Sequence, residues 1–202
     1  MSASSRSDLR ARCRELRRQL GDQERRAAEQ RLQQLLFEFL ADRSAGTIGL
    51  YLPTDGEVDI AATAPALRSS GWTTTLPIVA DDTSMHFARW AGDDELVDNR
   101  YGIAEPSRGG AVAIDEHSII VVPAVAVDAR GHRLGFGAGF YDRALSGRRA
   151  EVITLCPVHD VQVVDDVRPE AHDVSVDVIV TSGGIRWISD ATAPEGASGS
   201  TR

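Results

Sequence analysis

Residues 118–127, SIIVVPAVAV, constrain the fold more than any other stretch. Only Ser118 in this run is polar, so a strand formed here is apolar on both faces. Such a strand belongs inside a parallel sheet covered by helices on either side. The run is read as one central strand, with Pro123 at a bulge or at its end because proline donates nothing to a ladder. Residues 47–52, 73–79, 85–90, 151–155 and 176–181 read as further strands. Helical patterns alternate with them. Leu9, Cys13, Leu16 and Leu20 fall at helical spacing, and Gly21 ends that helix. Asp22 is placed to cap a second helix, which carries Leu32, Leu35, Leu36, Phe39 and Leu40 on one side and runs to about residue 42. Residues 53–56 form a turn, and 59–68 a helix interrupted at Pro65. The alternation predicts an α/β layered domain with a mostly parallel sheet and ligands beyond the carboxyl ends of its strands.

Composition narrows the chemistry. The chain has 202 residues, 42% of them hydrophobic and 26% charged, as in an ordinary globular domain. Its net charge of -8 argues against a general nucleic-acid binder, which needs a basic footprint. It contains no lysine; all 22 basic residues are arginine. Schiff-base and P-loop lysine chemistry is thereby removed. A bound phosphate must be held by arginine, backbone N–H groups or a metal. Residues 1–31 hold nine arginines against five acids, a balance of +4, which leaves -12 on the remainder. This basic end either faces an anionic ligand or is a solvated helix with i,i+4 pairs. No apolar run reaches membrane-spanning length, and the Arg-rich start has no apolar core of a signal peptide. Cys13 and Cys156 stand far apart, so no disulfide framework or cysteine zinc site is expected, and the expected compartment is the cytoplasm. His86, His117, His132 and His159 show no ligand spacing. Residues 1–188 read as one domain, basic and helical over 6–42, and 189–202 as a disordered tail.

Beyond Asp128 the sequence runs through Arg133-Leu-Gly-Phe-Gly-Ala-Gly-Phe-Tyr-Asp-Arg143. Gly135, Gly137 and Gly139 alternate, and glycine lets backbone N–H groups approach a phosphate closely. Arg133 and Arg143 flank the loop. A helix over residues 140–145 would turn its N-terminus to an anion, and Asp142 is placed to ligate Mg²⁺. The Rossmann G-x-G-x-x-G fails in either register, because Phe140 or Asp142 stands where glycine is needed. A structural turn is the alternative.

These residues resemble the 5-formyltetrahydrofolate cyclo-ligase, or methenyltetrahydrofolate synthetase, family. The resemblance rests on R-L-G-x-G-x-G-F-Y-D-R after Pro123 and Asp128, and on pieces in the family's order: Arg6 and Arg10; Tyr51-Leu-Pro53 through Glu57-Val58; Trp90, then Gly102-Ile-Ala-Glu105-Pro106; and His172-Asp173 through Asp177. It covers about residues 6–181. It implies an α/β, three-layer Rossmann-like sandwich with a mostly parallel central sheet and a helical N-terminus. It also implies conversion of 5-formyltetrahydrofolate to 5,10-methenyltetrahydrofolate with MgATP, releasing ADP and phosphate. In that reaction the formyl oxygen attacks the γ-phosphate and folate N10 captures the activated carbon, so no protein nucleophile is needed. The absence of a Ser/His/Asp or Cys/His constellation agrees.

Carried over by position, the resemblance implies that Arg6 and Arg10 contact ATP phosphates. Arg133, Leu134, Gly135, Phe136, Gly137, Ala138, Gly139, Phe140 and Tyr141 form the ATP loop. Leu52, Glu57, Gly137, Gly139, Phe140 and Tyr141 meet the folate, with Glu57 accepting from pterin N–H groups. Asp142 and Asp173 hold Mg²⁺, and Arg133, Tyr141 and Asp142 sit at the reacting groups. Bland roles compete: Glu57 as a helix cap, Asp173 and Asp177 as turn or strand-edge acids, Arg10 as a surface residue, Tyr141 as a core aromatic. The family's basic residue within the loop is replaced by Phe136 or Ala138, its usual lysine by Arg6, and a frequent tyrosine by Phe140. A non-catalytic folate- or nucleotide-binding relative is the alternative function. The partners implied are a reduced folate and ATP, with no nucleic acid or membrane, on a monomer.

Overall fold

The computed structural model describes residues 5–80 and 84–188, and the tail expected over 189–202 lies outside them. Two helices open the chain, α1 (Arg6–Arg18) and α2 (Asp22–Leu40). They are followed by β1 (Thr47–Gly49), a 3-10 turn (Ala61–Thr63) leading into α3 (Ala64–Ser69), β2 (Thr73–Val79), β3 (Met85–Arg89), β4 (Leu96–Asp98), β5 (Ala104–Pro106) and β6 (Ala111–Val112). Then come β7 (Ile119–Val121), β8 (Ala126–Asp128), β9 (Arg133–Leu134), α4 (Phe140–Leu145), β10 (Ile153–Pro157), β11 (Val163–Val164), β12 (Val178–Thr181) and β13 (Gly184–Trp187).

The central sheet has eight strands in the order β13-β12-β10-β7-β1-β2-β3-β6. The five from β12 to β2 are parallel, and β13 and β3 join antiparallel outside them. Both faces of the parallel core are apolar. In β7, Ile119 and Val121 join Leu32, Leu36 and Leu67 from α2 and α3, while Ile120 on the opposite face joins Phe87 and Leu145. Val178 and Val180 divide from Ile179 in the same period of two. The layered α/β architecture with a helical N-terminus is therefore as expected. α1 packs elsewhere: Cys13 meets Val125, Ala126 and Leu134 of a small sheet ordered β11-β8-β9.

Local expectations are corrected at four places. The apolar run over 118–127 is two strands in two sheets, not one. Val122 still donates to the Leu155 carbonyl, but Pro123 has no N–H to continue the ladder, and the chain leaves for β8. Pro65 does not interrupt a helix; it stands in the first turn of α3, where a missing N–H costs nothing. Asp22 is the first helical residue of α2 and Gly21 is its N-cap. The strand expected over 47–52 ends at Gly49, so Tyr51 and Leu52 lie beyond its carboxyl end.

Asp177 is a half-buried tie between β10 and the approach to β12. Its Oδ2 accepts from Thr154 N at 2.7 Å, Thr154 Oγ1 at 2.7 Å and Arg148 Nη2 at 2.6 Å. Asp177→Ala leaves these donors unsatisfied and is expected to lower the unfolding free energy by about 2–3 kcal/mol. Urea unfolding of both proteins measures this.

Candidate active site

The chain passes from β1 to β2 on one side and later places β7 on the other. The strand order therefore reverses between β1 and β7, and a crevice opens beyond their carboxyl ends. It is a cleft of about 600 Å³ bordered by Tyr51, Leu52 and Glu57 after β1, by Pro123 and Ala124 after β7, and by the glycine loop. A second groove of about 430 Å³, between α1 and β11, holds none of the site residues expected from sequence.

Among those residues, Arg6, Arg10, Leu52, Glu57, Arg133, Gly135, Phe136, Gly137, Ala138, Gly139, Phe140, Tyr141, Asp142 and Asp173 all line the cleft. Leu134 does not. It alternates with Arg133 along β9 and points into the core beside Cys13, which fixes the base of the loop. Gly137 (φ 111°) and Gly139 (φ 69°) adopt left-handed backbone that disfavours a side chain, whereas Gly135 does not. α4 has only six residues, so no long helix dipole faces the loop, and the groups available to an anion here are its arginines and amides. Arg10 Nε donates to the Gly135 carbonyl at 2.8 Å, and Arg143 Nη1 to the Ala138 carbonyl at 2.9 Å. The Arg14 guanidinium lies 5.5 Å from the centre of the Phe136 ring. Arg14 from α1 thus stands beside Phe136, and Arg143 at the loop's own end beside Ala138, the two positions where the loop lacks a basic residue.

The charged groups are mostly paired across long sequence separations. Arg133 is buried and donates through Nη2 to Asp142 Oδ1 at 2.8 Å, which also accepts from Val174 N at 3.1 Å. Arg133 Nε is buried without a partner. Arg6 pairs with Asp173 and donates to the Arg168 carbonyl at 2.9 Å. Burial pushes the Asp173 carboxyl up, but the Arg6 guanidinium and the Glu170 N–H outweigh it and hold the group below its ordinary range. Burial, and then the charge of Arg6, pull Arg10 down from its ordinary value. The basic N-terminal helix is not a solvated face held by i,i+4 pairs. Arg18 pairs within the helix with Glu15 at 3.9 Å, while the helix's longer-range pairs reach Asp55, Glu170 and Asp173.

Glu57 is 6% exposed. Its Oε2 accepts from Thr54 N at 3.0 Å and Thr54 Oγ1 at 3.2 Å, so it closes its own turn and caps no helix. Asp59, ahead of the 3-10 turn, accepts from Ala62 N at 3.1 Å. Glu57 Oε1 is buried with no protein partner. Burial raises the Glu57 pKa from 4.5 to about 7; Thr54 and Arg17 pull it back only in part. Tyr141 presents a second buried, unpartnered group, its hydroxyl, and burial raises that pKa also. Among the described residues, no cluster of three or more His, Cys, Asp or Glu side chains forms a metal site.

The segment 99–105, which sequence reasoning passed over as a site, forms one wall of the cleft. Tyr101 stands edge-on to Phe140 with ring centres 5.4 Å apart. Glu105 anchors this wall, accepting from Val79 N at 2.8 Å and Asn99 Nδ2 at 2.6 Å. The Gly102–Pro106 motif contained the signal, but its spacing named no partner for Glu105.

A profile described as the 5-formyltetrahydrofolate cyclo-ligase family matches residues 2–182. The chain belongs to this family. A 5-formyltetrahydrofolate cyclo-ligase of Haemophilus influenzae is 30% identical over 186 residues, covering 89% of this chain and 100% of that protein. One from Mycolicibacterium smegmatis is 32% identical over 145 residues, 68% of this chain and 74% of the relative. The solved structure of Aquifex aeolicus 5,10-methenyltetrahydrofolate synthetase superposes with a TM-score of 0.81 at 30% identity, covering 96% and 97% of the two chains. A Mycoplasma pneumoniae 5,10-methenyltetrahydrofolate synthetase shares the fold, with a TM-score of 0.75 at 23% identity and coverage of 88% and 99%. As a cyclo-ligase of this family, the chain is an enzyme. Among its described residues no helix is long and apolar enough to cross a membrane.

Glu57 makes a testable link between the site and stability. Between pH 4.5 and 7 the folded protein keeps the Glu57 proton that the unfolded chain has released, so stability falls as pH rises through this window. The full loss is about 3 kcal/mol at roughly 1.4 kcal/mol per pH unit. Glu57→Gln removes this dependence: denaturant unfolding is expected to find the variant stabilised relative to wild type at pH 8, and no such gain at pH 5.

Proposed function

We propose that this enzyme converts 5-formyltetrahydrofolate to 5,10-methenyltetrahydrofolate, using ATP with Mg²⁺ and releasing ADP and phosphate. One observation carries the reading: the same cleft holds a buried carboxylate with a free acceptor and an arginine-bordered glycine loop. The first suits a ligand edge rich in N–H donors, such as a pterin. The second suits a polyphosphate. The work assigned to the protein is to align the formyl oxygen with the γ-phosphate and to neutralise charge.

Arg6, Arg10 and Arg133 serve the phosphates, with amides from the Gly135–Gly139 stretch. Arg133 Nε is already buried and unpartnered, which supports an anion beside it. Mg²⁺ bound through ATP phosphates needs only one or two carboxylates. Asp142 fits, since Arg133 and Val174 N both use its Oδ1 and leave Oδ2 for a cation. Asp173 fits as an acid that Arg6 releases when that arginine turns to phosphate. The ion would supply charge neutralisation on the transferred phosphoryl group. Glu57 receives the pterin N–H groups; Leu52 and Phe140 pack on the rings; the Tyr141 hydroxyl donates toward the formyl region. Gly137 and Gly139 let folate and phosphate approach the same backbone. Two buried free thiols suit a reducing cytoplasm, and a monomer supplies every group named.

The test is a spectrophotometric assay with purified protein, 5-formyltetrahydrofolate, ATP and Mg²⁺. A near-ultraviolet methenyl band that needs both ATP and Mg²⁺, with one ADP per turnover, is expected. Folate binding without this band supports the non-catalytic alternative and sinks the reading. Arg10→Ala is expected to raise the KM for ATP about tenfold, and Glu57→Gln the KM for the folate about tenfold, each near the worth of one charged hydrogen bond.

A further inference from the structure

Helix α1 carries Arg6, Arg10, Arg14, Arg17 and Arg18, at i, i+4, i+8, i+11 and i+12. That spacing sets all five along one side of the helix. Arg6 and Arg10 reach Asp173 and the Gly135 carbonyl. The other three converge on one carboxylate, Asp55. Arg14 Nε donates to its Oδ2 at 2.6 Å and Arg17 Nη2 to the same atom at 3.0 Å. Arg18 donates to Oδ1 through Nε at 3.1 Å and Nη2 at 2.8 Å. Arg17 is fully buried, and its Nε and Nη1 have no partner, so Asp55 is the carboxylate that compensates it. Asp55 sits in left-handed backbone (φ 49°) two residues before Glu57, followed by Gly56 at φ 79°. Both its oxygens are taken by guanidinium donors, which leaves it little capacity to bind a ligand directly.

We propose that Asp55 is a positioning residue: it pins the turn carrying Glu57 to α1, and thereby fixes the folate-side carboxylate relative to Arg6 and Arg10 on the phosphate side. This deepens the function proposed above and rests on it. A 13-residue helix is about 19 Å long, enough to run along the cleft from the glycine loop to the turn. A helix transmits position where two loops alone would not, and misplacing reacting groups by roughly 1 Å costs about a hundredfold in rate. The three arginines also keep Asp55 charged: burial pushes its pKa up, but Arg14 and Arg18 bring it down to about 2.

The electrostatics around Glu57 give a second readout. The charged groups that bear on it are Arg17 from α1, which favours its ionised form, and Asp55 from its own turn, which opposes it. Tyr51, Tyr141 from α4 and Cys156 from β10 have pKa values raised by burial and stay neutral at working pH; Arg133 from β9 faces the last two. Neutralising Asp55 therefore moves the pH midpoint of folate binding down, and neutralising Arg17 moves it up.

The experiment compares wild type, Asp55→Asn and Arg17→Met for both KM values, kcat and the pH profile. Asp55→Asn is expected to raise the KM for ATP and for 5-formyltetrahydrofolate together, each about fivefold, with the pH midpoints of the two variants displaced in opposite directions. A purely structural defect lowers the folded fraction, and with it apparent kcat, but leaves both KM values and the pH midpoint alone; that result, or a rise confined to one substrate, overturns the proposal. If Asp55→Asn does not fold, Arg14→Gln and Arg18→Gln replace it, since those side chains are 39% and 51% exposed and their loss strands no buried charge. Each is then expected to raise both KM values about twofold, and unchanged values overturn the proposal. A wild type that makes no methenyl product fails the reaction, not the positioning. Positioning is then judged by the same rule on the dissociation constants of ATP and 5-formyltetrahydrofolate.

Discussion

Strand β7 is apolar on both faces, and a strand of that kind cannot lie at an edge or against water. It must have a parallel strand on each side and apolar layers above and below. β1 and β10 supply the first requirement. α2 and α3 on one face, and the layer of Phe87 and Leu145 on the other, supply the second. Once β1 and β7 are neighbours with the same direction, their carboxyl ends open into one crevice. The segments leaving them carry Glu57 on one side and, through Pro123 and β8, the glycine loop on the other. The location of the site is thus a consequence of burying Ile119, Ile120 and Val121 rather than a separate feature.

The parts of the fold legible in the sequence were those with a strong local signal. The apolar periodicity of α2 and the isolated apolar strands fall in this class. Pro123 was recognised as a break, but not that it separates two sheets, because nothing local distinguishes a bulge from an exit. The two- and three-residue strands β4, β5, β6, β9 and β11 are too short for any period to register. All the residues that the glycine loop and the family resemblance assigned to the site line the cleft except Leu134, but the wall over 99–105 was not among them. Leu134 was misplaced, although alternation in β9 turns Arg133 and Leu134 opposite ways. The ion pairs were not legible at all. Arg6 meets Asp173 across 167 residues and Arg17 meets Asp55 across 38, and no spacing rule reaches so far.

A chain without lysine must make every strong cationic contact with a planar fork. Forks suit carboxylates and carbonyls as well as phosphates, and they pair readily when partly buried. That is why Arg6 ends on Asp173, Arg10 on the glycine loop and Arg14, Arg17 and Arg18 together on Asp55, and why Arg133 and Asp142 hold each other. The site's charges are organised in advance, leaving few isolated cations facing water.

Glu57 carries a consequence of another kind. Its carboxyl stays half protonated near neutral pH because it is buried with one oxygen unsatisfied. A ligand that donates hydrogen bonds to that oxygen stabilises the ionised form, so ligand and proton compete for the same atom. Each ligand captured near neutrality then expels a fraction of a proton, and the heat of binding varies with the buffer that takes it up.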